Sequence, residues 1–254
     1  MRRCLFCTNS ANSLEDAWPH WITDQYRGAR AVEVDAVRGG VRLKPWSKYQ
    51  PELKVRCVCR TCNNGWMSGL ESRAQPLLQP MLIGSRIGLD LAGQATVALW
   101  SVKTAAVLDG MDQVDRRAYS LEECERMRTL SAVTWRTSVW LAASATASHF
   151  MSTKNRHLGS NDLSGVSITI ALGHVVLQVL TIRIPDTFGP DTLVTTDART
   201  GPWEEVTTQI WPARSQTAVW PPSLGLNGEV GLDALADRFI AAEASDADIT
   251  PLAI

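Results

Sequence analysis

Cys57-Val58-Cys59-Arg60-Thr61-Cys62-Asn63-Asn64-Gly65-Trp66-Met67-Ser68 decides how the first quarter of this chain folds. Within it, Cys59-x-x-Cys62 places two thiolates on one tight turn, and a matching Cys4-x-x-Cys7 stands near residue 1. Two such turns supply four soft ligands for a tetrahedral metal, so Cys4, Cys7, Cys59 and Cys62 are expected to hold a structural Zn2+. The pairs are separated by 51 residues, 8–58, too many for a compact zinc ribbon. Further structure is therefore expected inside the loop that the metal closes. That loop holds Glu15-Asp16-Ala17-Trp18-Pro19, and the second knuckle runs on into Asn63-Asn64-Gly65-Trp66.

Other readings of the cysteines fit less well. A disulfide scaffold calls for an export signal, and Met1-Arg2-Arg3-Cys4 enters the first pair without an apolar run. No stretch of sequence approaches the roughly 18 apolar residues of a membrane span. A cytoplasmic protein without a membrane partner is expected, in a compartment that keeps thiolates reduced for zinc. A redox Cys-x-x-Cys usually stands alone beside a βαβ pattern, and two pairs fit that poorly. Cys57 shares a strand face with Cys59 and reads as a buried small hydrophobe or a spare thiol near the metal. Cys124 reads as filler in a helix.

A chain of 254 residues can bury a proper core in one or two domains, and its 45% apolar and 20% charged content is that of an ordinary globular protein. Its net charge of -1 conceals an asymmetry. Residues 1–75 carry 12 Lys/Arg against 7 Asp/Glu, while the remainder carries 13 against 19. A mildly basic module joined to an acidic body suits contact with phosphates. The stretch 27–48, with Arg27, Arg30, Arg38, Arg42, Lys44 and Lys48, alternates basic and aliphatic residues as a strand pair along a phosphate backbone would.

Period and punctuation divide the chain into a metal module over 1–75, an α+β domain over 81–244 and a loose tail over 245–254. Helical spacing predicts a short helix over 63–75, capped by Asn63 and closed by Pro76 and Pro80. Residues 91–109 are apolar nearly all round and predict a buried helix. Ser120-x-x-Glu123 is a capping box opening a helix through about Thr129. From there the period drops to two, predicting strands over 133–146, 166–172 and 175–184, the last two joined at Gly173-His174. A further strand over 205–211 and a helix over 232–242 complete an α+β body with a largely antiparallel sheet. His149, His157 and His174 form no recognisable cluster, and the body shows neither a phosphate-binding glycine loop nor a nucleophile elbow.

Cys4-x-x-Cys7, Glu15-Asp16-Ala17-Trp18-Pro19-x-Trp21-Ile22 and Cys59-x-x-Cys62-Asn63-Asn64-Gly65-Trp66-Met67-Ser68-x-Leu70-Glu71 together resemble the zinc-stapled branch of the HNH endonucleases over about 70 residues. The resemblance implies a ββα-metal module. In that family an acidic residue and a histidine stand side by side before a short apolar run and a proline, and a knuckle leads into a helix that begins with His or Asn. Glu15 then corresponds to the acidic ligand of a catalytic Mg2+ or Mn2+, Asn63 to the residue at the helix start, and Asp16 to the position of the base histidine. Double-stranded DNA is the implied partner.

Two departures accompany the match. An aspartate with an ordinary pKa near 3.9 is a far weaker base than a histidine near 6.5, and a neighbouring cation lowers it further. Asp16 could instead serve as a second metal ligand, with metal-bound hydroxide as nucleophile. His20 could substitute as base, although from a strand or turn four residues away its side chain needs an unusual path. The asparagine that braces the base has no counterpart, because no Asn lies between Asn12 and Asn63. Structural roles stay open too: Glu15 and Asp16 as solvated acids, Asn63 and Asn64 as caps, and Trp18, Trp21 and Trp66 as the module's core. Three functions follow: a metal-dependent endonuclease, a non-cleaving zinc module that binds DNA or RNA, and an interaction protein in which zinc only closes the fold.

Overall fold

The computed structural model describes residues 2–26, 32–38, 41–42, 46–48, 54–110, 118–134, 136–145, 151–159, 164–183, 203–239 and 249–251. The loop between the cysteine pairs contains β1 (Ser13–Asp16), the single turn α1 (His20–Thr23), β2 (Val32–Arg38), β3 (Val41–Arg42), β4 (Trp46–Lys48) and β5 (Lys54–Val58). A short turn α2 (Arg60–Cys62) leads to α3 (Ser68–Leu82), β6 (Ile87–Asp90), α4 (Leu91–Asp109) and α5 (Leu121–Leu130). Four strands follow: β7 (Thr137–Ala143), β8 (Met151–Gly159), β9 (Ser164–Leu172) and β10 (Val175–Arg183). The chain continues through α6 (Trp203–Val206), β11 (Thr208–Trp211), β12 (Thr217–Trp220), β13 (Leu224–Leu226), α7 (Gly228–Asp237) and β14 (Ile249–Pro251). Helix and sheet are thus mixed, as expected, with a four-cysteine cluster in the N-terminal region.

The largest sheet runs β11-β7-β10-β9-β8-β2-β3, with β4 also paired to β2. Its centre is an antiparallel meander in which β9 and β10 pair from Leu172↔Val175 to Ser164↔Arg183. Gly173, at φ 56, occupies the left-handed region that this tight turn requires. The sheet is largely antiparallel, as expected, and among its described strands one pairing is parallel. β2 lies parallel to β8, from Val32↔Met151 to Val37↔Arg156, so the loop between the cysteine pairs contributes a strand to the sheet of the body. The expected strand pair over 27–48 falls partly on β2 and β3, which pair antiparallel, while Arg27, Arg30 and Lys44 lie outside the described residues.

Both faces of the sheet are covered. Val139, Leu141, Ile168, Ile170, Val175, Leu177 and Val179 join α3, α4 and the cysteine knuckles in one apolar core. Ala142, Ala171 and Val176, facing the other way, pack with Trp203, Val206 and the α7 residues Leu232 and Leu235. Alternation along each strand fills both cores, which is why these segments read as near-continuous apolar runs.

α4 has the length and hydropathy of a membrane span, although the sequence reading expected none, and 78% of its apolar window is buried against the rest of the chain. Asp90 caps it by accepting a hydrogen bond from the Gly93 N–H at 2.7 Å. The Ser120–Glu123 capping box forms at the head of α5 as expected.

α3 corrects the expected helix over 63–75. It starts at Ser68 and runs through Pro76 and Pro80 to Leu82. Each internal proline removes a backbone hydrogen bond at a cost of about 3 kcal/mol. Burial of Leu70, Ala74, Leu78 and Met81 beside α4 offsets that cost. The strand expected over 205–211 is split into α6 and β11, and the last amphipathic helix lies at 228–237, four residues earlier than expected. Within the expected tail, β14 pairs with β13, and residues 245–248 and 252–254 lie outside the described ones.

Candidate metal centre and carboxylate site

The four cysteines come together. One sulfur from each of Cys4, Cys7, Cys59 and Cys62 lies within 4.8 Å of all the others, as ligands of one ion would. Backbone N–H groups point at the sulfurs: Cys59 N–H donates to Cys4 Sγ at 3.2 Å, and Cys62 N–H to Cys59 Sγ at 3.4 Å. The Asn9 amide adds a contact to Cys59 Sγ at 3.8 Å. Burial alone raises the Cys59 thiol, but hydrogen bonds from Cys62, Cys7 and Asn9 outweigh it and bring it down to about 6. That donor set favours the Cys59 thiolate, the form that binds metal, whereas desolvation raises the thiols of Cys4 and Cys62. Cys57 and Cys124 are buried outside the cluster.

The knuckles are anchored to their surroundings. Phe6 meets Trp66 edge-on at 4.9 Å, and Arg128 of α5 donates to the Phe6 carbonyl at 2.9 Å. Trp18 is fully buried, and Trp21 and Trp66 pack against the same core.

β1 and β5 form an antiparallel pair with Glu15 opposite Val55 and Asp16 opposite Lys54, and α3 follows the second knuckle. Alternation sends the two acids to opposite sides. Glu15, 3% exposed, enters the core. There the ammonium of Lys103, itself fully buried on α4, lies 3.6 Å from its carboxylate. Lys103 also bonds Glu71 of α3 at 2.9 Å and lies 5.7 Å from the centre of the Trp100 ring. Desolvation pushes the Glu15 carboxyl up to about 7; Lys103 opposes that rise, while Glu71 and Asp16 add to it.

Asp16 faces outward and meets His20 Nε2 at 3.5 Å and Lys54 Nζ at 4.0 Å. The expected obstacle to His20 is removed by Pro19, which ends the extended segment so that His20 opens α1. Residues 16 and 20 therefore approach each other across a turn rather than along a strand.

Asn63 does not cap a helix as expected. Cys59 holds the N-cap of α2, its sulfur accepting from Cys62 N–H, and Asn63 lies inside a wide turn that kinks at Gly65. The Asn63 amide donates to Ser13 Oγ at 2.9 Å and to the Leu14 carbonyl at 3.3 Å, clamping β1 against the second knuckle. The structure thus brings Asn63 to β1, Glu15 to Lys103 and Asp16 to His20. Lys103 and Glu71 were missed as site residues, although a single lysine inside the apolar run 91–109 was a signal in the sequence. Lys54 and Arg56 on β5, with Arg60 beyond it, are exposed.

No family model, curated protein or solved structure matches this chain.

Glu15 does not fit a catalytic Mg2+ or Mn2+. Such an ion needs an open carboxylate, whereas that of Glu15 is buried and already faces an ammonium.

Proposed function

We propose that this chain is a cytoplasmic, zinc-containing nucleic-acid-binding protein. In it an HNH-type module holds double-stranded DNA without cutting it. The supporting observation is the Glu15–Lys103–Glu71 arrangement, in which a lysine ammonium stands where the family resemblance implies a catalytic divalent ion. Zinc closes the module through Cys4, Cys7, Cys59 and Cys62. Asn63 then serves β1 as a brace. Exposed Lys54, Arg56 and Arg60 supply the phosphate contacts.

A second reading, cleavage, is favoured by one observation, the 3.5 Å contact between Asp16 and His20. An exposed imidazole oriented by an aspartate is a competent general base. Incubating supercoiled plasmid with zinc-loaded protein under Mg2+, Mn2+ or EDTA separates the two. Retarded but intact plasmid supports binding. Metal-dependent nicking that disappears in His20→Ala supports cleavage.

A further inference from the structure

On the face of the large sheet that carries Trp140 lies a cavity of about 290 Å³, distant in sequence from the cysteine knuckles. Trp140 of β7, Trp203 of α6, Thr207, Gln209 of β11 and Arg238 after α7 line it, with Glu204 and Arg214 at its exposed side. Arg238 is the informative residue. Its guanidinium carbon lies 4.5 Å from the centre of Trp140 and 4.6 Å from that of Phe239, two rings whose own centres are 5.6 Å apart. The residue is only 7% exposed.

A buried guanidinium ordinarily faces a carboxylate. This one does not, among the described residues: Nη1 donates to Thr207 Oγ1 at 3.2 Å, while Nε and Nη2 are buried without a hydrogen-bond acceptor. Thr207 is committed in turn to the Trp203 carbonyl at 2.7 Å. The indole N–H of Trp203 is likewise buried and unpaired. The contrast with β8 is instructive. There the buried cations Lys154 and Arg156 are met by Glu229, Asp233 and Asp237 along one face of α7, so this fold pairs its buried cations elsewhere. Desolvation unopposed by any acid brings the Arg238 guanidinium down to about 9.

We propose that this cavity is a binding site for a phosphate monoester of mononucleotide size, with Arg238 as its principal ligand. Two residues that line this one cavity, Arg238 and Trp203, carry three buried donors without an acceptor, a pattern that calls for an acceptor-rich anion rather than a cation or a neutral ring. Nε and Nη2 of one guanidinium form the fork that grips two oxygens of a phosphate. Arg214 and Glu204 at the opening offset each other in charge, so the net positive charge of the cavity is that of Arg238. The volume accommodates the phosphate with an attached sugar and base, and Trp203 offers the base an apolar wall. Such a phosphate could belong to a free 5′-mononucleotide or to the 5′ end of a strand. The site stands independently of the DNA-binding proposal, since it shares no residue with the zinc module.

Thermal unfolding and titration calorimetry of the full zinc-loaded chain test this. The probes are inorganic phosphate, a 5′-mononucleotide, a 5′-phosphorylated oligonucleotide and its 5′-hydroxyl counterpart. At a concentration 100-fold above Kd, a phosphate-bearing ligand should raise the Tm of the native chain by roughly 5 to 10 °C. Arg238→Met should lose at least tenfold in affinity while melting, unliganded, no lower than the native chain, because it removes an unpaired buried charge. Arg238→Lys, which keeps the charge and loses the fork, should fall between the two. Binding of the phosphorylated strand without the mononucleotide would assign the site to strand ends, and the reverse to free nucleotides. No response to any phosphate compound overturns the proposal. So does an equal response in Arg238→Met, or equal binding of the 5′-hydroxyl strand.

Discussion

The Lys103 ammonium lies 3.6 Å from the Glu15 carboxylate, joining the first strand of the zinc-closed segment to the central helix of the body. Both groups are buried, and Glu71 completes the arrangement at 2.9 Å. One lysine therefore ties β1 and α3 to α4.

Lys103→Met should destabilise the chain by about 3 to 5 kcal/mol, since it leaves Glu15 and Glu71 without their cation. Adding Glu15→Gln to that variant should recover part of the loss, because the two residues interact directly. Urea denaturation of both single variants and the double gives the coupling. Simple additivity would show that the contact carries no energy.

Stability should fall as pH rises from about 5 to 8. The Glu15 carboxyl sits near 7 in the folded chain against an ordinary value of 4.5. The folded state thus keeps a proton that the unfolded state has released. This contribution is complete below about pH 4.5 and lost as pH rises through about 7, and amounts to on the order of 3 kcal/mol. Glu15→Gln should flatten that part of the profile. An identical slope in native chain and variant would mean that other groups set it.

Metal analysis should return one zinc per chain, retained in Cys57→Ser and Cys124→Ala and lost in Cys59→Ser. The packing of Leu5, Phe6 and Trp66 beside the knuckles makes chelation a folding event as well as a loss of metal. Circular dichroism in the aromatic region, followed during EDTA titration, should change in step with zinc release.

Lys54→Gln and Arg56→Gln should each weaken DNA binding across all sequences and reduce the salt slope by about 1. His20→Ala should leave stability within about 0.5 kcal/mol of native, its side chain being 66% exposed. Equilibrium binding at several salt concentrations and thermal melts read these effects.

The cysteine cluster was legible because Cys-x-x-Cys geometry is local and chemically specific. The α4 and α5 helices and the β9–β10 pair were legible too, since Ser120 and Gly173 announce a cap and a turn within a few residues. Three features depended on contacts between distant segments. The continuation of α3 through Pro76 and Pro80 rests on burial beside α4, which no local propensity records. The parallel pairing of β2 with β8 joins residues more than a hundred apart. At the candidate site, Glu15 and Asp16 are neighbours in sequence, and strand alternation sends one to Lys103 and the other to His20. Lys103 stood in view as the lone basic residue of an apolar helix, yet its partners became evident only with the fold.

The most direct test of a DNA-binding module without a catalytic metal is a single titration of a fluorescently labelled duplex with zinc-loaded protein in Mg2+ or Mn2+. It is read first by anisotropy across a salt series and then by denaturing electrophoresis of the same samples. The expected result is salt-sensitive binding with the duplex left at full length. Shortened strands that require the divalent ion, and that vanish in Glu15→Ala, would contradict it and return Glu15 to the role of metal ligand.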